Sequence, residues 1–127
     1  MKSFTDLPQS KKLAEFLPLE SADMTYCAIT EGMREKMIIK DWQVNIGLDI
    51  AIKENLFSYR NGYMVPCWSL AALISILPYP SLHKTFAGWR CDSYNKEGTS
   101  CILGESADNP VDACISMIEK LHELKML

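Results

Sequence analysis

The stretch from Lys84 to Leu121 constrains the fold more than any other. Lys84-Thr-Phe-Ala-Gly-Trp-Arg-Cys-Asp-Ser-Tyr94 and Thr99-Ser-Cys-Ile-Leu103 are strand-like runs separated by Asn95-Lys-Glu-Gly98, whose glycine suits a left-handed turn position. The pattern predicts an antiparallel hairpin. Side chains alternate along a strand, so Phe86, Gly88, Arg90, Asp92 and Tyr94 face one way while Ala87, Trp89, Cys91 and Ser93 face the other. The face of Trp89 and Cys91 is the better core candidate. Asn109-Pro110 then opens a helix with a good cap and a proline at the first helical position, and Asp112 sits where the positive dipole end favours a carboxylate. Val111, Cys114, Ile115, Ile118 and Leu121 form an apolar stripe opposite Glu119, Lys120 and Glu123, as expected of an amphipathic helix laid on the sheet.

The rest of the chain supplies further elements of the same kind. Thr5 or Asp6 can cap a first helix in which Pro8 costs nothing, Leu13, Phe16 and Leu17 mark its apolar face, and Pro18 stops it. Met24 to Thr30 has strand composition. Between Glu31 and Gly62 the signals conflict: Met37-Ile-Ile39 and Trp42 to Ile46 suggest short strands, while Leu48, Ile52 and Leu56 have helical spacing. Asn61-Gly62, between Phe57-Ser-Tyr59 and Tyr63-Met-Val65, is a hairpin signal because both residues tolerate positive φ. Ser69 can cap a helix to Leu77 that is apolar nearly all round, through Leu70, Ala71, Ala72, Leu73, Ile74 and Ile76, as a helix deep in a core would be. Pro78 and Pro80 end it. The expected architecture is α+β: a single small domain over residues 1–127, with about three helices packed on an antiparallel sheet.

Size and composition agree with one globular core. A chain of 127 residues is near the commonest domain length, and 48% apolar with 23% charged residues is ordinary for a folded protein. A net charge of −3 offers no long-range attraction to phosphate backbones or anionic lipid, so nucleic acid is not the expected partner. Apolar runs such as Cys67 to Pro78 fall well short of the roughly 20 residues a membrane-spanning helix needs, and the N-terminus has no secretory h-region. The odd set Cys27, Cys67, Cys91, Cys101 and Cys114 reads as reduced thiols acting as small hydrophobes in the cytoplasm.

No motif for catalysis, metal or nucleotide stands out. Zinc sites draw on close cysteine or histidine pairs, but the nearest cysteines, Cys91 and Cys101, lie on adjacent strands, with His83 and His122 elsewhere. Gly98 and Gly104 are too far apart for a phosphate loop, and Asp108 and Asp112 read as helix-start residues rather than an acid and base. No cofactor is therefore expected. Cys67 is the one cysteine placed before a helix N-terminus, where a thiol can be activated. Trp42, Trp68 and Trp89 could serve a partner surface, although packing in the interior is the commoner use of tryptophan.

Three segments resemble a family of small uncharacterised bacterial proteins carried on prophages and other mobile elements: Ser10 to Met24, Pro66-Cys-Trp-Ser-Leu-Ala-Ala-Leu73, and Gly104-Glu-Ser-Ala-Asp-Asn-Pro-Val-Asp-Ala-Cys114. The resemblance implies a genomic setting and no mechanism, and it makes residues 31–63 a variable insert between the matching segments. The order strand, turn, strand and capped helix with Asp112-Ala-Cys114 is similar to the C-terminal half of small antitoxins that mask a toxin, without an attached DNA-binding segment.

These readings converge on a non-enzymatic accessory protein acting through protein contacts or self-association. The alternatives are an antitoxin-like regulator and a small ligand-binding domain or enzyme whose pocket uses Cys67, Trp68, Trp89 and Arg90.

Overall fold

Asp6 opens the first helix as its sequence requires. Its carboxylate accepts the Gln9 backbone N–H at 2.9 Å while the Gln9 side chain accepts from the Asp6 N–H at 3.0 Å, a reciprocal cap over α1, Leu7–Leu13. The computed structural model describes residues 2–33, 36–47, 60 and 62–127. These form two compact units, Asp6–Trp68 and Met1–Thr5 with Ser69–Leu127. Among the described residues three α-helices and two three-stranded antiparallel sheets give an α+β fold, with two small sheets where the sequence suggests one.

In the unit Asp6–Trp68, α1 stops earlier than expected. Proline at position 18 disfavours helical backbone before it, so the chain leaves α1 through turns that still bury Leu13 and Leu17. A short 3₁₀ turn, Leu19–Ser21, leads into β1, Met24–Glu31, the central strand of a sheet ordered β2-β1-β3. The two short strands expected around Ile39 and Trp42 are one strand, β2, Ile38–Ile46. Thr30 pairs with Ile39 and Ile29 with Asp41, so Lys40 is an extra residue taken up as a bulge. β3, Met64–Cys67, is buried throughout and packs beneath α1. The helical spacing over 48–56, the strand over 57–59 and the Asn61 half of the expected turn lie outside the described residues; Gly62 itself has φ of 78°.

In the second unit, Ser69 caps α2, Leu70–Ile76, by accepting the Ala72 N–H. The expectation that this helix lies deep in a core is corrected: only Ala72 and Leu73 are buried, and Ala71 and Ser75 are exposed. A helix of two turns presents one side to its neighbour, here the last helix, and its apolar outer positions stay at the surface. β4, Pro80–Thr85, β5, Gly88–Tyr94, and β6, Cys101–Ala107, follow as an antiparallel meander. The run from Lys84 to Tyr94, expected as one strand, is broken at Phe86-Ala87. Gly88 allows that turn: its φ is 139°, and a Cβ there would meet the Ala107 carbonyl at 2.6 Å. Asn95 holds the second turn with its side-chain Oδ1, which accepts from the Thr99 and Ser100 N–H groups. Asn109 caps α3, Pro110–Glu123, whose expected stripe is buried and widened by Ala113 and Met117. α3 packs on β5 and β6.

Candidate functional site

Cys91 fixes the orientation of the second sheet. It points to α3, where the Cys114 thiol donates to it, so Arg90 and Asp92 on the same strand point to the opposite, outward face. The strand register sets their neighbours. Arg90 stands directly opposite His83 on β4 and Ser106 on β6, and Asp92 stands opposite Ser81 and Gly104. The outward face is thus a row His83, Arg90, Ser106 beside a row Ser81, Asp92, Gly104, with no apolar side chain in either.

Arg90 is held in place within this face. Its Nε donates to Asp92 Oδ1 at 2.8 Å, and the Asp92 side chain is only 8% exposed against 42% for Arg90. A glycine at position 104 makes the arrangement possible. A Cβ there would collide with Arg90 Nη2, and would lie 2.7 Å from Arg90 Cζ and 2.5 Å from Asp92 Oδ1. The guanidinium therefore lies over the bare backbone of the neighbouring strand at Gly104. The exposed side chains of His83 and Ser106 have no hydrogen-bond partner among the described residues. Chemically the face offers a planar donor held by a carboxylate, with the imidazole of His83 and the hydroxyl of Ser106 on the two strands that flank Arg90. It lacks the hydrogen-bonded nucleophile and base that acyl transfer needs, because the one carboxylate is committed to Arg90.

The residues singled out from the sequence fall into different places. Cys67 and Trp68 are completely buried in the first unit, where Trp68 Nε1 donates to Ser21 Oγ at 3.0 Å. Neither offers its side chain to solvent. Trp89 and Arg90 belong to the second unit and, being consecutive on β5, lie on opposite faces. Of these, Arg90 alone reaches the outward row. Asp92, Gly104, His83 and Ser106 carry no site signal in the sequence. Alternation does place Asp92 beside Arg90, but the contributions of β4 and β6 depend on a register that composition does not encode.

The thiols are dispersed or paired in the core. Cys101 is exposed, Cys27 half-buried beside the Asn45 amide at 3.3 Å, and Cys91 and Cys114 fully buried. The hydrogen bond accepted from Cys114 lowers the pKa of Cys91 against the opposing effects of burial and of Asp92. The same bond, with burial, holds the Cys114 proton far above the ordinary thiol range. Among the described residues no three histidine, cysteine or carboxylate side chains gather to hold a metal ion, and no helix is long and apolar enough to cross a membrane.

No protein-family model, curated protein or solved structure matches the chain.

Proposed function

We propose that the chain is a non-enzymatic accessory protein of the cytoplasm that acts by binding a protein partner through the outward face of its second sheet. The observation that carries the proposal is the half-exposed Arg90 guanidinium, braced by a buried carboxylate and seated on a glycine, on the polar outward face of the second sheet. A braced arginine loses little freedom on binding, and arginine is enriched at interface positions that dominate affinity. The likeness of three segments to mobile-element proteins supports an accessory role in that setting.

Affinity recovery from a bacterial extract, comparing the wild type with Arg90→Ala and Lys84→Ala, tests it. Lys84 is exposed on β4 but alternates to the face away from Arg90. A protein retained by wild type and Lys84→Ala and lost from Arg90→Ala is the expected result. Identical recovery by all three overturns the proposal.

A further inference from the structure

We infer that Cys91 and Cys114 are a redox couple: a hydroperoxide converts the two thiols to a disulfide that staples α3 to β5, and a small-molecule thiol restores them. Both cysteines are free and completely buried, on two elements that pack against each other. Cys91 is the strand residue aimed at α3, and Cys114 belongs to the buried stripe of that helix. The Cys114 thiol donates to the Cys91 sulfur, so the two sulfurs are already in direct contact. From there a short closing movement reaches bonding distance, supplied by rotation about the two Cα–Cβ bonds and a settling of the helix on the sheet. The remaining thiols sit in other settings. Cys101 is exposed and bonds the Leu103 carbonyl, Cys27 meets the Asn45 amide, and Cys67 belongs to the first unit.

The hydrogen bond also divides the roles. By stabilising negative charge on Cys91 it makes that sulfur the nucleophile, while the same bond and burial keep the proton on Cys114. The Cys91 thiolate attacks one oxygen of hydrogen peroxide, the O–O bond breaks, and the Cys114 proton passes to the leaving oxygen. This leaves a sulfenic acid on Cys91, a water and the Cys114 thiolate. That thiolate attacks the sulfenic sulfur, forms the S–S bond and expels hydroxide, which takes up the proton Cys91 lost at the start. Two thiols and one hydrogen peroxide thus give one disulfide and two waters. Two molecules of a small thiol reverse the bond by exchange and leave as their own disulfide. Burial selects the oxidant: hydrogen peroxide is scarcely larger than water and enters through small local openings that exclude iodoacetamide. The bond closes residues 92–113 into a covalent loop, which restricts the unfolded chain and so stabilises the second unit. In a reducing compartment such a pair rests as a dithiol and is oxidised transiently.

The experiment uses the full native chain carrying Cys101→Ser, which removes the exposed thiol and with it cross-linking between molecules. The chain is treated with hydrogen peroxide in the absence of denaturant, the remaining thiols are blocked, and disulfide-linked peptides are read by mass spectrometry. The expected product is a monomer that has lost two hydrogens, carries a Cys91–Cys114 link and returns to the starting mass with dithiothreitol. Its urea-unfolding midpoint should lie above that of the reduced chain. Cys114→Ser in the same background keeps a donor of similar size beside Cys91 but forms no disulfide, so peroxide should add oxygen to Cys91 instead. Absence of the Cys91–Cys114 link under native conditions, a link that forms only after unfolding in urea, or an oxidised chain with an unchanged or lower midpoint would overturn the inference.

Discussion

The Arg90 guanidinium rests on Gly104, a residue one strand away whose missing side chain is the space the guanidinium fills. Gly104→Ala therefore acts through Asp92. The arginine is flexible and can swing off the added methyl, but doing so leaves a largely buried carboxylate without its partner. A loss of about 1–3 kcal/mol in urea-unfolding stability is expected. In an Arg90→Ala background only the close approach of the added methyl to Asp92 Oδ1 remains, so the same substitution should cost less, and a double-mutant cycle measures the difference. Additive losses would show that the two residues act separately.

Tyr26 gives the first unit an alkaline limit. Burial, with the nearby Cys67 and Asp6 groups, pushes its hydroxyl from the usual 10.0 up to about 12. The folded pKa is raised, so the corresponding stability is fully present below about pH 10 and is lost as pH rises toward about 12. Tyrosinate absorbance near 295 nm should show one tyrosine ionising late, together with or just before unfolding. Tyr26→Phe should remove that late step and flatten the loss of stability across the same window.

How much of this was legible from the chain depends on the range of each interaction. The caps at Asp6, Ser69 and Asn109, the stripe of α3 and the shared face of Arg90 and Asp92 follow from residues within one turn or two strand positions of each other. The seat at Gly104 does not, because it lies fourteen positions beyond Arg90, across a turn and on the next strand. The break at Phe86-Ala87 was hidden for a different reason. Neither turn residue is a usual turn former; the permissive backbone lies one position later, at Gly88, and Phe86 reads as strand while standing fully exposed. The bulge at Lys40 made one strand look like two, since an extra residue shifts the alternation partway along.

Thiol reactivity should follow burial and bonding. In the native chain Cys101 should alkylate first and Cys27 more slowly, with Cys67, Cys91 and Cys114 modified only on unfolding. Mass spectrometry after timed iodoacetamide treatment gives the order. Native labelling of Cys91 on the timescale of Cys101 would show that the core of the second unit opens readily, despite the hydrogen bond from Cys114.

Trp68 is expected to be the most sensitive indole. Its Nε1 donates to Ser21 Oγ, which itself donates to the Pro18 carbonyl, so one hydroxyl links the tryptophan to the turn after α1. Trp68→Phe removes a buried donor and leaves a void, whereas Ser21→Ala leaves the buried N–H without this acceptor. Each should cost about 1–3 kcal/mol in chemical unfolding. The pair together should cost less than the sum.

The last expectation concerns the edge of the first sheet that β2 leaves unpaired among the described residues. Ala28 donates its N–H toward Tyr63, on the β3 side, so the N–H of Trp42, opposite Ala28, points away from β1. A free N–H on an edge strand invites another strand to pair with it. Here the preceding side chain occupies it: Asp41 Oδ1 accepts the Trp42 N–H at 2.8 Å. The bulge at Lys40 distorts the same stretch, and Lys40 is held by Glu31 at 3.1 Å. These features shield a strand whose Ile38, Ile39 and Ile46 are exposed. Asp41→Thr keeps strand propensity while removing both the charge and the acceptor. It should leave the monomer's fold intact and produce a concentration-dependent larger species by light scattering coupled to size-exclusion chromatography. If Asp41→Thr matches the wild type at every concentration, the carboxylate is not what guards this edge.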